Sequence, residues 1–352
     1  MASAGEKIDP ARSAVLRSNP DRPTPGSLSF CMRVSRPLLL AALFIGLPPA
    51  YSADTYPARP VRIVVPTGAG GITDILARVI AQRLGEQLGQ QVIVDNRPGA
   101  SGVLGTQIVA TATPDGHTLL MVYPSYPVNP SLIPKLPYDT VKSFAPITMV
   151  SAVGMLLVVN ASLPAKSVRE LIALAKQKPG QIHYGAVGAG SLGHLGAELF
   201  RSMSGADISH VAYKGSPQVF TALVGGEISV YFAVTISSAL PLVQAGKLRM
   251  LGVSTAQRLP GLPDVPTIAE TVPGYEVQGW NGLLAPAATP RPIVDRLNRE
   301  IVRIVRTPEF AERLAADRAV PVGNTPEEFA AIIRADIAKW AQVIKTAGIR
   351  AD

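Results

Sequence analysis

Three times in this chain a run of β-branched and aliphatic residues gives way to a loop of glycines and small residues, and a helical pattern follows. The runs are VRIVVP (61–66), QVIVDN (91–96) and QIHYGAV (181–187). The loops are GAGGITD (68–74), RPGASG (97–102) and GAVGAGSLG (185–193). Strands separated by amphipathic helices pair in parallel and carry helices on both faces, so this alternation predicts an α/β fold.

The first helix places Ile75, Leu76, Val79, Ile80, Leu84 and Leu88 at three- and four-residue spacings and stops at Gly89. A second helical stretch runs from about Val103 to Ala112, and HTLLMVY, PITMV and MLLVVN read as strands. A helix over 167–178 ends at Pro179-Gly180, and ISHVAY, ISVYFA and LRMLGVS continue the series as strands. From Arg291 on the pattern is helical, and the Pro-rich stretch 259–266 is the expected irregular surface segment.

At 352 residues, with 47% apolar and 16% charged side chains, the chain can bury two cores. Net charge is +8, but residues 1–53 hold six Lys/Arg against three Asp/Glu, leaving 27 against 22 in the remainder with no basic run. Aromatics amount to only 5%. Neither feature suits a nucleic-acid partner, and none is expected.

Residues 32–53 read as an export signal. Met32, Arg33 and Arg36 make a short basic region, LLLAALFIGL (38–47) is the apolar stretch, and PPAYSA offers cleavage near Ser52 or Ala53. Ten apolar residues are too few to span a bilayer. Met32 is the expected start, with residues 1–31 an upstream extension that contains the single cysteine, Cys31. The mature chain then has no disulfide and no thiolate, and a bacterial periplasm is the expected location.

Each glycine-rich loop opens a helix whose first N–H groups lack intrahelical partners and carry the positive end of the helix dipole. Loops of this kind lie at the carboxyl ends of parallel strands, where ligands bind, and together they make an anion site that needs no cationic side chain. The same glycines also serve tight turns and close packing of helix on sheet. Two sharper readings attach to Gly188–Gly193, because GAGSLG matches GxGxxG. A dinucleotide site needs an acid ending the second strand, and the candidate, Asp207, precedes its strand. A hydrolase nucleophile at Ser191 needs an acid and then a histidine downstream. Only His194 and His210 follow, too close for the usual triad spacing. The four histidines show no metal-ligand spacing, so no metal and no cofactor are expected. His194 reads as a capping or packing residue of a first helical turn.

In order and spacing, YPARPVRIVVPTGAGGITDILAR, VIVDNRPGASGVLGT, ATPDGHTLL, LPYDTVKSFAPIT, GSLGHLGAELF, VAYKGSPQ, LPDVPTIAET and GLLAPAATP resemble one family. It is that of the periplasmic solute-binding receptors of tripartite tricarboxylate transporters, the Bug family. The resemblance covers about Tyr56 to Ile349. It implies a two-domain periplasmic binding protein of the type II-like, flytrap kind, each domain a mostly parallel sheet flanked by helices. One domain would combine 55–155 with 278–352 and the other would be 156–277, with Trp280 near the return crossing.

The resemblance also implies a small carboxylate as ligand, membrane transporter subunits as partners, and a monomer. The first loop would supply Gly70, Gly71, Ile72, Thr73 and Asp74. Asp74 would repel an anion if it faced inward, so it is expected to cap the helix or anchor waters. The opposite domain would supply Gly188, Gly190 and Ser191, with Tyr213, Lys214 and Gly215 matching a Tyr-basic-Gly element. Ser125 is a further cleft candidate. Where many members carry acids in a motif like GxxDVxFD, this chain has Ser229 and Ala233. Loss of the second acid at Ala233 predicts an amine-free or bulkier ligand over an amino acid. The alternatives are an exported serine hydrolase using Ser191 and a ligand sensor for signalling.

Overall fold

The computed structural model describes residues 56–350, so the export signal, Met32, Cys31 and the expected cleavage point lie outside the described residues. The strands in chain order are β1 (Val61–Val65), β2 (Val92–Asn96), β3 (Thr118–Val122), β4 (Phe144–Gly154), β5 (Leu156–Asn160) and β6 (Ile182–Val187). They continue as β7 (Ile208–Tyr213), β8 (Val230–Ala233), β9 (Leu248–Val253), β10 (Gln278–Pro286) and β11 (Val320–Pro321). The helices are α1 (Ile72–Leu88), α2 (Val103–Ala110), α3 (Asn129–Leu132), α4 (Val168–Gln177) and α5 (Leu192–Ser204). After them come α6 (Ser216–Gly225), α7 (Ile236–Gln244), α8 (Arg291–Val305), α9 (Pro308–Leu314) and α10 (Pro326–Ala347).

Two sheets result, ordered β11-β4-β10-β3-β1-β2 and β7-β6-β8-β5-β9. Both are mixed rather than mostly parallel. Strands joined through helices pair in parallel, β2-β1-β3 in one sheet and β7-β6-β8 in the other. The remaining strands pair antiparallel because β4 leaves the first sheet directly for β5, and β10 comes back from the second. An antiparallel return needs no crossover helix, so it leaves no strand–helix signature in the sequence.

Helix α1 shows how a sequence pattern became a layer. Leu76, Ala77, Ile80, Ala81, Leu84 and Leu88 bury against the first sheet, and left-handed Gly89 (φ 66°) closes the helix with its N–H on Gly85 O. Ile75, expected in that stripe, is 39% exposed because its neighbours Asp74 and Leu76 occupy the inward arc. One apolar cluster joins α1 and α8 to the sheet through Ile63, Leu76, Ile80, Leu297 and Ile301. The second sheet has its own, including Leu157, Tyr184, Phe200, Phe232 and Tyr275. The stretch 259–266 is irregular as expected, yet Leu259 and Val265 are buried in an apolar cluster with Leu156 and Tyr231.

The two crossing segments are laced by one serine. Ser254 Oγ accepts from Met155 N (2.7 Å) and donates to Val277 O (2.6 Å). Its backbone repeats the pattern, Ser254 N donating to Met155 O (2.9 Å) and Val277 N to Ser254 O (2.8 Å). No helix among the described residues is long and apolar enough to cross a membrane.

Candidate ligand-binding site

Because β1, β2 and β3 are parallel neighbours, the loops at 66–71, 97–102 and 123–128 leave the same edge of their sheet. The loops after β6, β7 and β8, at 188–191, 214–215 and 234–235, do the same on the other. Parallel pairing therefore gathers all the glycine-rich loops at carboxyl ends of strands, the position favoured for ligands in α/β sheets.

The first loop is held by Asp74, which is 2% exposed. Its Oδ2 accepts from Gly70 N (2.9 Å) and Arg78 Nε (3.0 Å), and its Oδ1 accepts from Asn96 Nδ2 (2.9 Å). Burial pushes this carboxyl up, but the hydrogen bonds from Arg78, Gly70 and Asn96 outweigh that and hold it below the usual carboxylate range. Asp74 is thus an ionised loop anchor with both oxygens engaged. Gly70 takes φ 88°, a conformation that favours glycine. No side chain caps α1 at Gly71, so the first-turn N–H groups from Ile72 on are left for solvent or ligand. The Ile72 side chain is exposed. Thr73 is buried and donates through Oγ1 to Asn281 Oδ1 (2.9 Å), while Asn281 Nδ2 donates to Ser151 Oγ (3.3 Å). The loop after β1 is therefore tied to β10 and β4 beneath it.

The segment after β3 reaches across to the second set of loops. Ser125 O accepts from Val128 N (3.1 Å) and Asn129 N (3.0 Å), shaping a turn. Asn129 Nδ2 then donates to Ser101 O (3.0 Å) in the loop after β2. A methyl added at Gly190 would stand 2.1 Å from Leu132 Cδ1 and 3.7 Å from Val128 Cγ1. One added at Gly279 would stand 2.8 Å from Leu192 Cδ2 and 3.2 Å from Pro124 Cγ. The structure thus brings Ser125, Gly190 and Ser191 into one neighbourhood with residues 124–132.

Gly188 and Gly190 both take φ 72°. Ser191 is the N-cap of α5, its Oγ accepting from His194 N (3.3 Å). The His194 ring faces the other way, its Nδ1 accepting from Gly190 N (3.3 Å). Ser191 is therefore engaged as a helix cap, and the His194 ring is turned to a glycine amide through Nδ1. Asp207 Oδ2 accepts from Gly180 N (3.1 Å), away from any ribose-holding position.

Three further expected site residues are placed as follows. Ala233 is fully buried in the apolar cluster with Leu156, Val219 and Tyr231, so its side chain presents nothing to a ligand; alternation along β8 turns it to that face. The Tyr213 ring is half-buried and lies 3.3 Å from where a methyl on Gly185 would be. Gly215 is the N-cap of α6 with extended φ −169°, and exposed Lys214 donates its backbone N–H to Gln218 Oε1 (3.1 Å). Asn281, Asn129 and Leu132 were missed by sequence reasoning. Asn281 leaves one signal, a lone amide inside the apolar run WNGLLAP. No group of three His, Cys, Asp or Glu able to hold a metal exists among the described residues.

A family profile described as "Tripartite tricarboxylate transporter family receptor" matches residues 76–349, beginning just after the 68–74 loop. Protein BugT of Bordetella pertussis is 37% identical over 325 residues, 91% of this chain and 99% of that protein. Among solved structures, an R. palustris protein with adipate is 39% identical with a TM-score of 0.69, over 84% of this chain and 100% of that one. MatC from Rhodopseudomonas palustris with bound malate is 31% identical with a TM-score of 0.66, over 82% and 100%. The chain belongs to the receptor family of the tripartite tricarboxylate transporters.

Proposed function

We propose that this chain is a periplasmic receptor that holds a small, amine-free organic carboxylate between two lobes and presents it to a tripartite membrane transporter. The lobes are 55–155 with 278–352, and 156–277, and the export signal is removed near Ser52 or Ala53. The observation that carries the reading is the uncapped start of α1 at Gly71 beside a loop whose own anion, Asp74, is already neutralised by Arg78, Gly70 and Asn96. Such a loop offers N–H groups to an outside carboxylate without a competing negative charge. Solved relatives carry adipate and malate, two acids of this class. Gly70, Gly71, Ile72 and Thr73 form one side of the grip, and Gly188, Gly190 and Ser191 the other. Ala233 supplies no acid for an ammonium group.

Thermal shift and calorimetry with adipate, malate, aspartate and glutamate test this. At about a hundredfold excess over Kd, a bound acid adds about 2.7 kcal/mol, a rise of several degrees in Tm. Stabilisation by adipate or malate is expected. Tight binding of aspartate or glutamate with no response to the simple acids would remove the amine-free part of the reading. Ester turnover that disappears in Ser191→Ala would replace the receptor with a hydrolase.

A further inference from the structure

The lip at 188–191 is fastened by a side chain whose hydrogen-bonding role is fixed by chemistry. A backbone N–H can only donate, so the nitrogen facing Gly190 N, His194 Nδ1, must be a bare acceptor, and the imidazole carries its proton on Nε2. Ser191 Oγ and the His194 ring form a reciprocal pair around the start of α5: the serine takes the helix N–H at 194, and the histidine reaches back to the amide at 190. It resembles a capping box, except that an imidazole stands in the place of the glutamate and accepts from the residue before the N-cap.

The surroundings of that ring make its neutral state matter. His194 is 6% exposed. On β7, His210 stacks on it, with centroids 4.0 Å apart and planes 14° apart. On β6, the Tyr184 ring lies 6.2 Å from His194 and 5.2 Å from His210, and its hydroxyl donates to Glu198 Oε1 (2.6 Å). Burial, and then the bond to Glu198, keep that phenol protonated. On α5 itself, Glu198 is neutralised by Arg201 (2.7 Å). From α3 and its approach, apolar Leu132 and Val128 face the glycine that His194 holds. A proton added to His194 enters a buried ring stacked on the half-buried His210. On His194 Nδ1, it also turns the acceptor into a donor facing a donor.

We propose that His194 is the positioning residue of the 188–191 lip, acting through Gly190 N–H only as a neutral imidazole, so that acidification loosens the lip and weakens ligand retention. The inference rests on the receptor reading for its ligand consequence, while the effect on Gly190 stands without any ligand.

Two measurements on the full mature chain test it. The first needs no ligand: amide-exchange protection at Gly190, corrected for intrinsic exchange, in wild type, His194→Asn and His194→Leu. Asparagine keeps an acceptor near the Nδ1 position and does not titrate. Protection in wild type is expected to fall as pH drops through the imidazole range, to stay level in His194→Asn, and to be low throughout in His194→Leu. Wild-type protection that does not change between about pH 8 and 5.5 would overturn the proposal. The second measures adipate affinity by calorimetry over the same range. Wild type is expected to bind about tenfold more weakly at the acid end, corresponding to about one unit of differential protonation, with the slope removed in His194→Asn. Because adipate's own titration is common to both proteins, an equal slope in His194→Asn would overturn the coupling. Failure of adipate and malate to bind either protein, with the Gly190 result intact, would sink the carboxylate reading and leave the His194 switch standing.

Discussion

Asp74 shows how much a single residue in a glycine loop can hide. Its place in GAGGITD announces a helix start, and an inward-facing acid is at odds with an anion site. The structure resolves this through Arg78, one turn on, and Asn96, at the end of β2, both bonded to the carboxylate. Asn96 lies 22 residues away along the chain and only the β1–β2 pairing brings it there, so the sequence carried half of the arrangement. The Thr73–Asn281 bond, 208 residues apart, was invisible for the same reason. Asp74→Asn should destabilise the protein by about 1–3 kcal/mol at neutral pH, since the new NH2 faces one of three donors. The folded carboxyl titrates below its ordinary value, so its contribution is fully present above the unfolded pKa of about 3.9 and is lost as pH falls through the depressed folded value. Urea unfolding of both proteins at neutral pH and below that range should show the difference shrinking in acid. A difference that persists unchanged in acid would show that charge is not what Asp74 contributes.

At the scale of elements, hydrophobic periodicity located strands and helices well, and strand–loop–helix order located the parallel pairs β2-β1-β3 and β7-β6-β8. It did not reveal that β4 and β10 pair antiparallel in the first sheet and β5 with β8 and β9 in the second, because MLLVVN after PITMV reads the same whether it stays in one sheet or crosses to another. The two-residue β11 is too short for any period. The crossing itself depends on Ser254, whose hydroxyl joins Met155 N and Val277 O in a site without solvent. In Ser254→Ala a buried N–H and a buried C=O lose their partner together. A loss of about 2–4 kcal/mol is expected from equilibrium unfolding, because unpaired buried polar groups cost more than the average hydrogen bond contributes. A loss below about 0.5 kcal/mol, the range of ordinary surface substitutions, would mean the backbone bonds at 155, 254 and 277 suffice without the hydroxyl.

For the molecule as a whole, α10 decides how independently the two sheets behave. Its helical pattern was legible in PEEFAAIIRADIAKWAQVIKTAG, but its capping box at Thr325 and Glu328 and the identity of its partners came only with the structure. Phe329 and Ile333 pack in the cluster with Val64, Val122 and Trp280 of the first sheet. Trp340, Val343 and Ile344 pack in the cluster with Tyr184, Phe200 and Tyr275 of the second. Midway, Asp336 Oδ2 accepts from Trp280 Nε1 (2.6 Å) and Lys339 Nζ donates to Glu276 O (2.6 Å), fixing the helix to the return crossing. A helix of 22 residues is about 33 Å long and stiff over that length, so a motion that parts the sheets has to slide or release one end of it. The end with the larger side chain is the one to remove. Trp340→Ala leaves a cavity in the second core worth about 3–5 kcal/mol and frees the last two turns of α10 from it. Scanning calorimetry should then show a lower Tm and a broadened or split transition, as the second sheet loses the element that ties its unfolding to the first. One sharp transition at the wild-type temperature would mean that the crossing strands alone make the two halves a single cooperative unit.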